Sequence, residues 1–266
     1  MTLKEIYHRL LPASIRYPIG HARRSAVDSW ARWRTPGAPL PPRHMLRSVQ
    51  MTPWIWEYLQ VGCATAEAVR SALSSSGLGS LGDSPPRVLD FGCGLGRTLR
   101  FLLDTGWLLE GCDIDFQSIE WLRGALPDLA VEVNEINPPL PYPDHHFDGL
   151  YAVSVFTHFD RPEQDRWAAE VARVVRPGGL VLVTSMGPHA LTGFEQVDIP
   201  AHREALSRNG FFFDPAQADS EEFNARGAFH TKEGLGSIFG PHFHLLRHES
   251  GGVDGFQDLT VFRARE

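Results

Sequence analysis

The chain has 266 residues, 42% of them hydrophobic and 21% charged, with 16 Phe and 7 Trp. That is enough apolar material for one large domain, or a domain with an appended arm, and it excludes global disorder. No apolar run approaches a membrane span, and Arg9 and Arg16 break up the start of the chain where a signal peptide would need an apolar segment.

Three cysteines, Cys63, Cys93 and Cys112, are too few and too scattered for a disulfide framework or a zinc site. A reduced, cytoplasmic, soluble protein is therefore expected. The net charge of −7 is uneven: residues 1–50 carry nine Lys or Arg against Glu5 and Asp28, a local excess of +7 that leaves −14 on the rest. A basic arm beside an acidic body fits an anionic partner such as nucleic acid or a phospholipid surface. The charges are interleaved with Trp and Pro, which favours an arm that packs on its own domain or pairs with a second copy to make a homodimer.

In chain order, a short amphipathic stretch (Leu3, Ile6, Tyr7, Leu10, Leu11) precedes the proline-rich segment 36–42. Trp54, Tyr58, Val61, Ala64 and Ala68 recur at helical spacing, predicting a helix over 53–74. A Ser/Gly/Pro-rich linker covers 74–86, so residues 1–80 read as an arm and helical lid and 81–266 as the main domain. Strands are predicted at 87–91, 108–112, 130–133, 147–153 and 180–184. Helices are predicted at 97–103, 117–126 and 162–175, the last ended by Pro177-Gly178-Gly179. A loose polar insertion covers about 187–230. A short helix at 231–239 then leads into two late strands, 243–247 and 259–263, with no helix between them, hence antiparallel. The alternation implies an α/β, doubly wound, Rossmann-like sheet of about seven strands, the last antiparallel, with helices on both faces and an N-terminal helical arm.

The densest signal is Val88-Leu-Asp-Phe-Gly-Cys-Gly-Leu-Gly-Arg97. A strand ends in Asp90, and Gly92, Gly94 and Gly96 let the backbone turn sharply and approach a ligand. Arg97 stands where the dinucleotide fingerprint needs its third glycine, and a carboxylate at Asp90 suits a ligand with a cationic amino-acid end better than a pyrophosphate. Asp113, 21 residues after Gly92 and followed by Ile114, ends the second strand, where such sheets place an acid for ribose hydroxyls. Asn134, at the end of the third strand, offers an amide to an adenine edge.

These motifs, with LPYPDHHFDGLYAVSVFTHF at 140–159 and VVRPGGLVLVTS at 174–185, resemble the class I S-adenosylmethionine-dependent methyltransferases over about residues 86–186. The resemblance implies S-adenosylmethionine as cofactor. It places Gly92, Gly94 and Gly96 along the methionine part, Asp113 on the ribose, Asp90 toward the ammonium and Ser154 beside the methionine end. Arg97 would reach the methionine carboxylate or the substrate, or stay solvated. Asn137-Pro138-Pro139-Leu140 imitates a DNA amine-methylation motif, but it precedes the fourth strand and ends in Leu. It reads as a rigid connector, and nucleic acid is disfavoured as substrate.

Methyl transfer to a hydroxyl requires a base. His158, after the fourth strand, is the first candidate, with His189 and His230 facing the same side by topology. Thr157, Phe212 and the aromatic cluster Trp54, Trp56 and Tyr58 are candidates for shaping an acceptor pocket. His242, His244 and His248 would share one face of a regular strand, but they lack a Cys or acidic partner, so no metal is expected. The acceptor is expected to be a small molecule or glycan, methylated on oxygen in preference to nitrogen; the alternatives are RNA or protein methylation guided by the basic N-terminal arm, or a catalytically silent binding module that keeps the cofactor fold.

Overall fold

The computed structural model describes residues 25–29, 39–50, 53–80, 84–193, 200–214 and 227–266. The chain divides into two compact units, Met1–Gln60 and Val61–Glu266. In the first, residues 25–29 are helical and helix α1 spans Arg43–Gln50. Asp28, fully buried, accepts the Ile55 N–H and pairs with Arg43 at 2.6 Å. The Arg43 guanidinium also lies 5.6 Å from the Trp54 ring centre. A buried carboxylate needs such partners to stay charged, so at least this arm cation is used within its own unit.

Helix α2, Ile55–Ser75, matches the apolar spacing read from the sequence. The second unit holds a seven-stranded sheet in the order β3-β2-β1-β4-β5-β9-β8. Its strands are β1 (Arg87–Phe91), β2 (Leu108–Asp113), β3 (Ala130–Val133), β4 (Phe147–Ala152), β5 (Val175–Ser185), β8 (Phe243–Val253) and β9 (Gln257–Ala264). Strands β1 to β5 pair in parallel, and β9 inserts antiparallel between β5 and β8. This is the doubly wound, Rossmann-like arrangement with its last strand reversed.

Helix α3 (Phe116–Ala125) is capped by Asp115, whose carboxylate accepts the Gln117 N–H. Helix α4 (Arg161–Val174) begins with a reciprocal capping box between Asp160 and Glu163. Two apolar layers cover the sheet. One joins β4 and β5 residues to Trp167, Val171, Phe239 and Phe243; the other joins Val88, Tyr151 and Leu182 to Val69 and Leu73 of α2.

Three departures from the sequence reading have physical causes. Residues 97–103 form a tight 3-10 turn at Leu99–Phe101 rather than a helix, because Phe101 and Leu102 donate to carbonyls three residues back. Pro177-Gly178-Gly179 does not end a helix. Helix α4 passes straight into β5 at Val175, and the register against β4 shifts between Phe147 and Gly149, so these residues form an irregularity inside the strand, with Gly178 at φ +75°. The supposed loose insertion contains helix α5 (Pro200–Asn209) and strand β6 (Phe211–Asp214), which pairs with β7 (Gly227–His230). Helix α6 follows at Lys232–Phe239.

Candidate functional site

The carboxyl ends of β1, β2, β3, β4 and β5 gather the polar residues that the sequence singled out, as the general rule for open α/β sheets requires. The glycine loop is bent by backbone that favours glycine: Gly92, Gly94 and Gly96 have φ of +79°, +49° and +68°. A Cβ on Gly92 would stand 2.4 Å from a Val155 methyl, and one on Gly96 2.7 Å from Leu122. The loop is tied down by Asp113, whose Oδ2 accepts the Gly94 N–H at 2.7 Å and whose Oδ1 accepts the Asp115 N–H at 2.8 Å. Two hydrogen bonds leave carboxylate lone pairs to spare, so Asp113 retains capacity for a pair of vicinal hydroxyls. Ile114, beside it, is 40% exposed.

Asp90 is 3% exposed, and its Oδ2 accepts the Tyr151 hydroxyl at 2.9 Å. Burial pushes its carboxyl up to about 8, against the Tyr151 hydrogen bond that pulls it down, with neighbouring Asp113 adding to the rise. Burial likewise raises Asp113. Two acids held in a half-dry crevice form a site that gains from a cationic ligand.

Asn134, at the end of β3, is 6% exposed. Its Nδ2 donates to Glu135 O at 2.8 Å, and its Oδ1 is buried without a hydrogen-bond partner. An orphaned amide oxygen is costly unless a donor fills it, and an exocyclic adenine amine is such a donor. The residues present therefore fit S-adenosylmethionine at three points: an acceptor for adenine, an acid for ribose and a buried acid for the amino-acid end.

Ser154 has the left-handed φ of +61°, uncommon for a residue with a side chain. Its hydroxyl meets Gln257, and its N–H donates to Thr184. Thr157 is 2% exposed and donates to Ser154 O at 2.8 Å, which closes the turn below the serine. His158 ends that turn half-buried. His189 is partly exposed, with Nε2 2.9 Å from Phe256 O and Nδ1 3.5 Å from Asp258 Oδ1. His230 is 1% exposed: Nε2 faces Gln164 Oε1 at 2.9 Å while Nδ1 has no partner. Burial pushes its conjugate acid down to about 3, so the ring is neutral at physiological pH: Nε2–H donates to Gln164 Oε1, and Nδ1 is the nitrogen left with an acceptor lone pair.

Phe212 stacks on His202 at 4.2 Å and lies 6.1 Å from Phe229. A cavity of about 630 Å³ is lined by Leu191, Leu206, Arg208, Thr231 and Glu233, among others. Trp54 and Tyr58 are buried and Trp56 half-buried in the first unit, with the Trp56 Nε1 buried and unpaired. Arg97 lies close enough to Asp90 to stabilise its charged form.

A bulge changes the late histidines. Leu245 pairs with Phe262 but Arg247 with Val261, so His244 lies opposite Arg263 and His248 opposite Thr260, on alternate faces of the sheet. The shared face read from a regular strand is absent, and no metal-ligand cluster occurs among the described residues. Leu140 of the Asn-Pro-Pro segment is 3% exposed and its N–H donates to Glu170 Oε1 at 2.7 Å, so the segment is a connector pinned to α4. Sequence reasoning missed Tyr151, Thr184, Gln164 and Gln257. Tyr151 and Thr184 sit inside apolar strands and look like core, and Gln257 carries no spacing signal.

Residues 89–183 match the model of the methyltransferase-domain family. A SAM-dependent methyltransferase from Methanosarcina mazei aligns with a TM-score of 0.55 and 19% identity over 70% of this chain and 96% of that one. The glycopeptide N-methyltransferase MtfA, solved with sinefungin, aligns with a TM-score of 0.56 and 14% identity over 77% and 87%. The fold is that of the class I SAM-dependent methyltransferases. Among curated relatives, Methyltransferase GfsG of Streptomyces halstedii is 31% identical over 111 residues, 38% of this chain and 37% of that one. The fatty-acid O-methyltransferase of Mycolicibacterium smegmatis is 33% identical over 135 residues, 46% and 42%. The chain spans less than half the length of these curated relatives.

Proposed function

We propose that the protein is a SAM-dependent methyltransferase that transfers a methyl group to an oxygen, and less readily a nitrogen, of a small molecule or glycan. The observation that carries this reading is the convergence of the glycine loop, Asp90, Asp113 and the orphaned Asn134 Oδ1 at one edge of the sheet. Relatives named as O-methyltransferases support oxygen as the acceptor atom.

The bound cofactor supplies an activated methyl on a sulfonium, and in-line positioning provides much of the acceleration. The chain's own part is to hold the donor through the glycine loop and three polar contacts, and to remove the acceptor proton. His158 is our candidate for that proton, with His189 as the alternative; His230 contributes a hydrogen-bond acceptor. No described helix is long and apolar enough to cross a membrane, which fits a small-molecule acceptor reached from water. The cytoplasm is the compartment that fits this reading, and the homodimer through the arm is retained as part of it.

The test is a screen of phenols, hydroxy acids, carboxylic acids, sugars, amines, tRNA and protein with methyl-labelled S-adenosylmethionine. Label in a hydroxyl or carboxyl product supports the reading. His158→Ala should then slow turnover about a hundredfold, the usual scale for a general base, with the affinity for S-adenosylhomocysteine unchanged. Label only on tRNA or protein would contradict it.

A further inference from the structure

Gln164, on helix α4, is fully buried, and its side-chain amide uses both of its hydrogens. Nε2 donates to Phe156 O at 3.2 Å and to Phe159 O at 3.0 Å, the carbonyls on either side of Thr157 and His158. An amide nitrogen only donates, so Oε1 is the end that faces His230 Nε2 at 2.9 Å. That oxygen only accepts. The ring nitrogen opposite it must carry the proton, which holds the neutral ring as the Nε2–H tautomer with Nδ1 bare.

Nothing fills that nitrogen. His230 is 1% exposed, and its Nδ1 is buried with no hydrogen-bond partner. A buried acceptor left empty is costly, and a lone pair is answered by an O–H or N–H, never by an anion. Burial and the Arg161 cation keep the ring neutral, so it orients a hydrogen without keeping the proton. The His230 N–H donates to Met186 O at 2.8 Å, just past β5, and the Gln164 bridge runs to the turn that follows β4. Thr231, the next residue, lines the cavity of about 630 Å³ together with Leu191, Leu206 and Gly210. His230 and these lining residues all lie beyond residue 183, where the match to the family model ends. The ring therefore belongs to the part of the sheet edge that is this chain's own.

We infer that the bare Nδ1 of His230 recognises the methyl acceptor through a hydrogen-bond donor other than the one lost in the transfer. Gln164 is the positioning residue, which fixes the tautomer and ties the ring to the turn that carries His158. The inference rests on the acceptor reading above and narrows it to compounds with two O–H or N–H groups, such as diols, sugars and amino alcohols. His158 takes the proton of the methylated oxygen, while His230 holds the second hydrogen and is unchanged by the reaction. A simple carboxylate has no hydrogen to offer it.

The experiment uses the full chain, methyl-labelled S-adenosylmethionine and two matched pairs of probes: cyclohexane-1,2-diol against cyclohexanol, and 2-aminophenol against phenol. In a pair that is methylated, the wild type should favour the two-donor member about tenfold in kcat/KM, the worth of one hydrogen bond. His230→Gln keeps a donor toward Gln164 but removes Nδ1, whereas His230→Asn keeps an acceptor where Nδ1 stood. The first should erase the preference, with melting temperature and S-adenosylhomocysteine affinity unchanged, and the second should retain it. Gln164→Leu should let the ring populate both tautomers, read by nitrogen NMR of histidine-labelled protein, and should lower the preference. A preference that survives in His230→Gln, or a proton on Nδ1 in the wild type, overturns the inference. If no probe is methylated, the acceptor reading is what fails, and the Nδ1 resonance decides recognition. Movement with the two-donor member of a pair alone sustains the inference, and no movement with either overturns it.

Discussion

At the scale of single residues, burial does most to define the site. Asp90 sits in the core-facing end of β1 with Tyr151 as its hydrogen-bond partner, and its carboxyl is raised to about 8. Its folded value lies above its unfolded value, so the fold binds an extra proton between about 4 and 8. The stability it contributes is fully present below about 4 and is lost as pH rises through 8. Asp90→Asn should therefore melt above the wild type at pH 8 and match it near pH 4, by thermal denaturation across that range. If the ammonium of the donor pairs with the ionised carboxylate, binding must expel that proton. S-adenosylhomocysteine affinity should then rise about tenfold per pH unit between 6 and 7.5, with proton release visible in buffers of different ionisation enthalpy. A flat affinity over that range would separate Asp90 from the ammonium.

Asp113 ties the loop at Gly94 and stands at the carboxyl end of β2, where we propose that it meets the ribose. Asp113→Ala should weaken S-adenosylhomocysteine by more than about tenfold, since it removes a charge-assisted acceptor as well as the loop's tether. Unchanged affinity would end its ribose assignment. The placement of Asp90, Asp113 and Asn134 at strand ends is legible in the sequence because each strand is recognisable. That of Tyr151 and Gln257 is not, because a hydrogen bond across 61 or 103 residues leaves no local pattern.

At the scale of elements, helix α2 reaches the glycine loop through one small residue. A Cβ on Gly62 would stand 2.2 Å from Arg97 O, a backbone atom that cannot swing aside. Gly62→Ala should cost about 1–3 kcal/mol of stability, the scale of overpacking a close contact, and weaken S-adenosylhomocysteine by moving the loop. Melting and calorimetry on the same variant check both effects; a neutral variant would mean that the helix and loop are not mechanically linked. The helices and strands with clear periodicity, α2 through β4, were readable to within a residue or two. The 3-10 turn at Leu99–Phe101, the irregular start of β5 and the pair β6 and β7 were not. Each depends on backbone hydrogen bonding that hydropathy does not encode, and Pro177-Gly178-Gly179 carries the same glycine signal in a strand irregularity as at a helix end.

At the scale of the whole molecule, the sheet order fixes which ends meet. Placing antiparallel β9 beside β5 brings Gln257 and Asp258 to the same edge as Ser154 and His189, although they lie late in the chain. The basic charge of residues 1–50 is the feature that composition showed and the fold explains least; Arg43 is paired with Asp28 inside its own unit. Removal of residues 1–45 should leave S-adenosylhomocysteine affinity within about twofold and change acceptor use or oligomeric state, read by calorimetry and by sedimentation. Loss of folding would make the arm part of the core.

The central claim, that this edge of the sheet holds a methyl donor rather than a dinucleotide, is tested most directly by parallel calorimetric titration with S-adenosylmethionine, S-adenosylhomocysteine and NAD. Saturable binding of the first two and none of NAD is the expected result. Binding of NAD with no response to either adenosyl sulfur compound would contradict the reading of the glycine loop, Asp90 and Asn134.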